Sequence, residues 1–182
     1  MTIQEMLLPE FDREMGLTRQ ILERVPEGKD SWKPHQKSFA MGDLSLHLAT
    51  LPMWVVSTMK QTELDLNPPG GPGFTPPKYE SVAATLRSFD EIVKAARAAI
   101  AGASDGELMV TWTLKSGGHS IFSMPRVAVL RSFVLNHMIH HRAQLGVYLR
   151  LNDVPLPPMY GPTADAPIES GRQPAASSRS RQ

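Results

Sequence analysis

The stretch Asn136-His137-Met138-Ile139-His140-His141-Arg142 decides how this chain is read. Side chains four residues apart on a helix stand one above the other, so His137 and His141 share a face and can reach one point. The apolar stripe of the segment runs Val127, Leu130, Val134, then the two histidines, then Leu145 and Tyr148. Two imidazoles therefore hold positions that the helical period assigns to a core. Burying them is costly unless each finds a hydrogen bond or a metal ion. His140 points roughly 100° around the helix from His141. It belongs at the surface, at an interface or behind the ligands rather than beside them.

A second segment repeats this pattern. Between about Met41 and Thr62 the inward positions are Leu44, His47, Leu48, Leu51, Trp54, Val55 and Thr58, with Pro52 expected to kink the helix. His47 sits on its apolar stripe as His137 and His141 sit on theirs. Three inward imidazoles from two helices make a three-nitrogen metal site with an open position. Taken alone, each histidine is satisfied equally by a hydrogen bond within a core, so the residues leave both readings open.

Two more segments carry the helical period. The first runs from about Met6 to Val25 and ends at Pro26-Glu27-Gly28; the third runs from about Tyr79 to Ala101, with Gly102 as its stop. The histidine pair lies on the fourth, from about Pro125 to about Leu151. The expected fold is all-α, a four-helix bundle with long crossover loops. Glu63 to Lys78 contains Asn67-Pro68-Pro69-Gly70-Gly71-Pro72-Gly73, which runs extended and is long enough to cross the whole bundle. Helices two and three are thus free to run parallel. Leu108 to Leu114 alternates and is rich in β-formers, and Gly117-Gly118 offers a turn before His119 to Phe122. A short β-hairpin between helices three and four fits that pattern. From about Ala166 the tail is rich in Ser, Arg, Pro and Gln, so the expectation is one folded domain over residues 1–165 and a disordered tail over 166–182.

Composition narrows the chemistry. The 182 residues carry 19 basic and 18 acidic side chains, with no clustered basic face of the kind that grips nucleic acid. There is no cysteine, which leaves histidine and carboxylate as metal ligands. No stretch is long and apolar enough to span a bilayer, and Met1 to Met15 is charged and lacks a leader's apolar core. The expected setting is the cytoplasm.

With these residues in view, the chain resembles the DinB-like (DinB/YfiT-like) superfamily. His137-Met138-Ile139-His140-His141-Arg142-Ala143-Gln144-Leu145 looks like that family's H-x-x-H-H-R-x-Q-L run. Gly42-Asp43-Leu44 with His47 is similar to its G-E-L-x-x-H, with Asp43 in place of Glu. Val154-Pro155-Leu156-Pro157 through Tyr160-Gly161-Pro162 also resembles the segment after the last helix in many members. The resemblance implies a divalent metal on His47, His137 and His141, an up-down-down-up bundle, and frequent homodimers. Ala40 falls where related sequences often cap helix two with Thr or Ser, so that end is expected to fray.

Some members of the resembled superfamily are thiol-dependent S-transferases or isomerases. That implies a metal-dependent enzyme activating a low-molecular-weight thiol, or water, against a small-molecule substrate. No catalytic residue is assigned, because no carboxylate stands beside the histidines on either stripe. The competing reading is a non-catalytic, metal-stabilised binding or stress-response module. Three imidazoles suit Zn, Ni, Cu or Fe. Asp43 is a candidate to orient His47, although its place near a helix start is explained equally by the helix dipole. Gln144 and Tyr148 are candidates to line the pocket, and Trp54, Trp112 and Tyr160 to wall a substrate cleft. Arg142 fits a structural bridge at the end of the bundle, and His35 and His119 have no role.

Overall fold

The computed structural model describes residues 1–167. The chain is mostly helical with a small three-stranded sheet. Helix α1 (Ile3–Leu22) starts at a capping box: the Thr2 side chain accepts from the Glu5 N–H at 3.2 Å, and the Glu5 carboxylate accepts from the Thr2 N–H at 2.7 Å. The Thr-x-x-Glu spacing is a sequence signal for that start, three residues ahead of the expected Met6. Pro9 lies inside α1 but faces solvent, where water can meet the carbonyl that its missing N–H leaves free. Leu7, Phe11, Met15, Ile21 and Leu22 form the buried stripe.

The second expected helix is broken where Pro52 demands it. Helix α2 (Met41–Thr50) ends, a turn at Leu51-Pro52 intervenes, and α3 (Met53–Lys60) begins. Ala40 supplies no side-chain cap, yet the start of α2 does not fray. The Met41 N–H donates to the Trp32 carbonyl and the Gly42 N–H to that of Asp30, each at 2.9 Å. The preceding loop thus replaces a capping side chain with its own backbone. Gly42 is required there, because a Cβ would stand 2.9 Å from the Tyr79 ring and 3.1 Å from the Cβ of Asp30.

Strand β1 (Glu63–Asp65) leaves α3 directly. Helix α4 (Val82–Ala101) starts with the Ser81 side chain accepting from the Ala84 N–H, and Gly102 stands at its C-terminal cap. The short α5 (Asp105–Met109) leads into β2 (Thr111–Ser116) and β3 (His119–Pro125). The expected hairpin is present: β2 and β3 pair antiparallel around Gly117-Gly118, whose φ angles of 62° and 80° suit glycine. Strand β1 joins β2 in parallel, with Glu63 opposite Thr113 and Asp65 opposite Lys115. Three residues carry no strand period, so β1 was illegible in the sequence. What fixes it is the Asp65 carboxylate, which accepts from the Gly117 N–H at 3.0 Å and the Gly118 N–H at 2.7 Å.

The last helix is one continuous rod in three parts: α6 (Arg126–Ala128), a π-helical stretch (Val129–Asn136) and α7 (His137–Arg150). It packs on α1, α2 and α3, while α4 packs on α1, α2 and α3 from elsewhere. The main core lies among these helices and includes Phe11, Leu44, Leu48, Phe89, Leu130 and Leu145. A second apolar cluster of Trp112, Leu114 and Val129 joins the sheet to the body, with Trp54 and Phe133 packed against it. The Asp12–Arg97 and Asp90–Arg19 pairs tie α1 to α4 through two hydrogen bonds each. Such exposed pairs contribute only about 0–1 kcal/mol apiece. The expected disorder at residues 168–182 lies outside the described residues.

Candidate metal centre

His47 lies on α2, and His137 and His141 on successive turns of α7, which packs on α2. One ring nitrogen from each histidine falls within 4.8 Å of the others. The His137 and His141 Nε2 atoms are 2.9 Å apart. The His47 ring meets them edge-on, with centroids 5.2 Å from His137 and 4.6 Å from His141. Among the described residues, no other group of three or more His, Asp or Glu side chains gathers in this way.

The partners of the distal nitrogens set the chemistry. His141 Nδ1 lies 2.8 Å from the Gln144 Oε1; with that oxygen accepting, Nδ1 carries the proton and Nε2 is left to ligate. The His137 ring donates to the backbone carbonyl of Phe133, which uses its Nδ1, because Nε2 faces His141. The two Nε2 atoms face each other at 2.9 Å, a distance that suits a shared proton or two ligands turned toward one cation. The π-helical stretch immediately before His137 makes the Phe133 carbonyl's place meaningful: its bonding no longer follows the α-helical rule at the turn that feeds the site.

Burial keeps these rings neutral. Desolvation, reinforced by the neighbouring His141 and His137, pushes the His47 pKa down to about 4. Desolvation is also the main cause lowering His137 and His141, opposed by their hydrogen bonds to Phe133 and Gln144. Neutral imidazoles with inward Nε2 atoms are the form in which histidine ligates. Ligands 2.0–2.1 Å from a tetrahedral ion stand roughly 3.3 Å apart, a spacing this cluster approaches without moving its helices. The residues present fit a divalent metal.

The surrounding candidates divide. His140 is exposed and stays out of the cluster, but it is linked to it: Gln144 Nε2 lies 3.0 Å from His140 Nε2. Gln144 thus backs His141 rather than lining a pocket. Asp43 is exposed and makes no side-chain hydrogen bond to His47 among the described residues, so it sits as an acidic group in the first turn of α2. Tyr148 is buried, donating to the Phe39 carbonyl at 3.3 Å. Of the three aromatics expected to wall a cleft, only Trp54 does so. Trp112 is wholly buried under the sheet, and Tyr160 lies over the Arg142 guanidinium, 5.3 Å from it.

Arg142 forms the expected structural bridge, though deep within the fold. It is 3% exposed and donates to Glu14 Oε2 at 2.5 Å, to the Glu14 carbonyl at 3.0 Å and to Thr18 Oγ1 at 3.1 Å. The Tyr160 hydroxyl donates to the same carboxylate at 2.6 Å.

A cavity of about 370 Å³ reaches His47 from solvent between α2, α3 and the loop after β1. Phe39 stacks on His47 with centroids 5.7 Å apart, although it is itself 48% exposed. Sequence reading missed Phe39, which lies in a loop without periodicity. It also missed Phe74, on the far wall. An exposed aromatic beside a helix start was the available signal.

Fold and site together define a mainly helical protein with three converging imidazoles and an open approach to one of them. The sequence matches the DinB family over residues 2–171, and the chain belongs to that family. Two crystal structures of DinB-like proteins share its fold. One, from Bacillus cereus ATCC 10987, has a TM-score of 0.67 at 20% identity, covering 87% of this chain and 98% of that one. The other, from Bacillus subtilis, has a TM-score of 0.63 at 17% identity, covering 84% and 95%. No curated protein matches the sequence.

Proposed function

We propose that His47, His137 and His141 hold one divalent metal ion, Zn, Ni or Fe, and that the chain is a metal-dependent enzyme transferring a small thiol to an electrophile. The observation that carries this is the convergence of three ring nitrogens, one from each histidine, beside a cavity open to solvent. A divalent ion in that place supplies a Lewis acid that brings the pKa of a thiol or water toward neutrality. The chain's own residues do the rest. Gln144 and the Phe133 carbonyl fix the two rings with Nε2 inward, and Phe39 covers His47. The thiol proton leaves to solvent, sulfur bonds to the electrophilic carbon, and the leaving group departs. Amide hydrolysis is the weaker neighbour, since it needs an acid to protonate its leaving group. No carboxylate hydrogen-bonds any of the three histidines among the described residues.

The same reading places the domain over residues 1–165 as an up-down-down-up four-helix bundle carrying the sheet as an insertion, working in the cytoplasm as a homodimer. Among the described residues, no helix is long and apolar enough to cross a membrane. The competing module, metal-stabilised and non-catalytic, is disfavoured by the open cavity at His47.

Two measurements test the proposal. Protein purified without chelator should contain about one metal ion per chain, and His137→Ala should remove it. Stoichiometric metal retained by that variant would sink the site assignment. Consumption of a low-molecular-weight thiol with a model electrophile should depend on the metal; indifference to metal across several thiols leaves the binding module.

A further inference from the structure

The three histidines are not held alike. His141 has Gln144 at one ring nitrogen, and His137 has the Phe133 carbonyl. His47 has neither: among the described residues, its ring nitrogens hydrogen-bond nothing. A ligating histidine ordinarily gives its second N–H to a partner that fixes the ring. The torsion that turns an imidazole about its Cβ–Cγ bond is broad and two-fold, so the backbone of α2 alone leaves the His47 ring plane unset.

Phe39 meets that need from the loop before α2. Its ring stacks on the His47 face, with planes inclined by only 17°, and stands edge-on to His141 with centroids 6.1 Å apart. The ring is exposed, so core packing does not explain its place. Its backbone is pinned all the same. The Tyr148 hydroxyl donates to the Phe39 carbonyl, Trp32 packs edge-on against Tyr148 at 5.5 Å, and the Met41 N–H donates to the Trp32 carbonyl. The loop thus holds one aromatic face against one imidazole. We infer that Phe39 is the positioning residue of His47: it sets the plane of that ring by stacking, where hydrogen bonds set the other two. Its effect on metal affinity rests on the metal centre proposed above; its hold on the ring does not.

The test compares Phe39→Leu, which keeps apolar bulk and loses the flat face, with Phe39→Tyr, which keeps the face. In carbon-13 relaxation measurements on the full chain with excess EDTA, Phe39→Leu should make the His47 ring more mobile. The His137 and His141 rings should keep their mobility, and Phe39→Tyr should match the native protein. Without EDTA, chelator competition should show Phe39→Leu binding Zn about fivefold more weakly, and Phe39→Tyr within about twofold of native. An unchanged His47 ring in Phe39→Leu, or equal losses of affinity in the two variants, would overturn the inference. So would equal rises in the rates of zinc capture and release with affinity unchanged, which mark a cover instead of a support. The two readings fail separately. A native protein that takes up no zinc, yet whose His47 ring is loosened by Phe39→Leu, refutes the metal centre alone. Full zinc binding, with ring mobility and affinity both indifferent to Phe39→Leu, refutes the positioning role alone.

Discussion

His141 and Arg142 are neighbours on one helix, drawn to similar depth at 8% and 3% exposure, and their surroundings treat them in opposite ways. Arg142 meets a carboxylate, a carbonyl and a hydroxyl, so its buried charge is matched and both of its terminal nitrogens are occupied. His141 meets the imidazoles of His47, His137 and His140 and one amide, and no carboxylate hydrogen-bonds it among the described residues. The first arrangement is complete in the chain as it stands. The second gathers ring nitrogens that could hold a metal ion. A buried polar group with its partners built in holds structure, whereas one grouped with other potential ligands marks a candidate site.

The largest expected effect breaks the complete side of this comparison. Arg142→Met leaves the Glu14 carboxylate, 5% exposed, without its cation. Denaturant unfolding should show a loss of about 3–5 kcal/mol. Adding Glu14→Leu should recover a large part of it, and an unchanged midpoint in the single variant would show the pair to be idle. A smaller effect sharpens the other side. Gln144→Leu releases His141 from its fixed tautomer, so metal affinity measured by competition with a chelator should fall about 10–100-fold. Gln144 is exposed, so unfolding of the metal-free protein should hardly move. If affinity stays put, the His141 ring is held by packing instead.

The smallest effect concerns pH in the metal-free chain. His47 titrates near 4 when folded and near 6.5 when unfolded. Between those values the unfolded chain binds the extra proton, so stability declines as pH falls from about 6.5 to about 4. Thermal unfolding followed across that window should show the decline, and His47→Phe should make it shallower, the remainder coming from His137 and His141, which burial lowers in the same direction. The half-exposed setting of His47 keeps the effect modest. A melting temperature that rises on acidification would contradict the sign.

Legibility in the sequence followed the same divide. The periodic segments gave the helices, and Pro52 and Gly117-Gly118 gave the break and the turn, because in each case one residue type forces one local geometry. His47, His137 and His141 stood out as polar groups on apolar stripes, which is why the cluster could be assembled before any distance was known. Strand β1, the π-helical stretch and the Phe39 stack were invisible. Each depends on a partner remote in sequence or on a hydrogen-bond shift that leaves the residue pattern unchanged. Ala40 misled for a related reason, since backbone carbonyls of Asp30 and Trp32 did the work assigned to a side chain.

The Glu14–Arg142 pair also sets a schedule for the protein during its synthesis. Arg142 lies 128 residues beyond Glu14, and Tyr160 lies 146 beyond it. At about 5–20 residues per second, the nascent chain carries Glu14 for roughly 6–25 s before its arginine has been made. Helix α1 cannot take its final seat on the core in that interval without burying a lone carboxylate. The first helix of the chain is therefore among the last to be locked, and translation of the final helix supplies the lock.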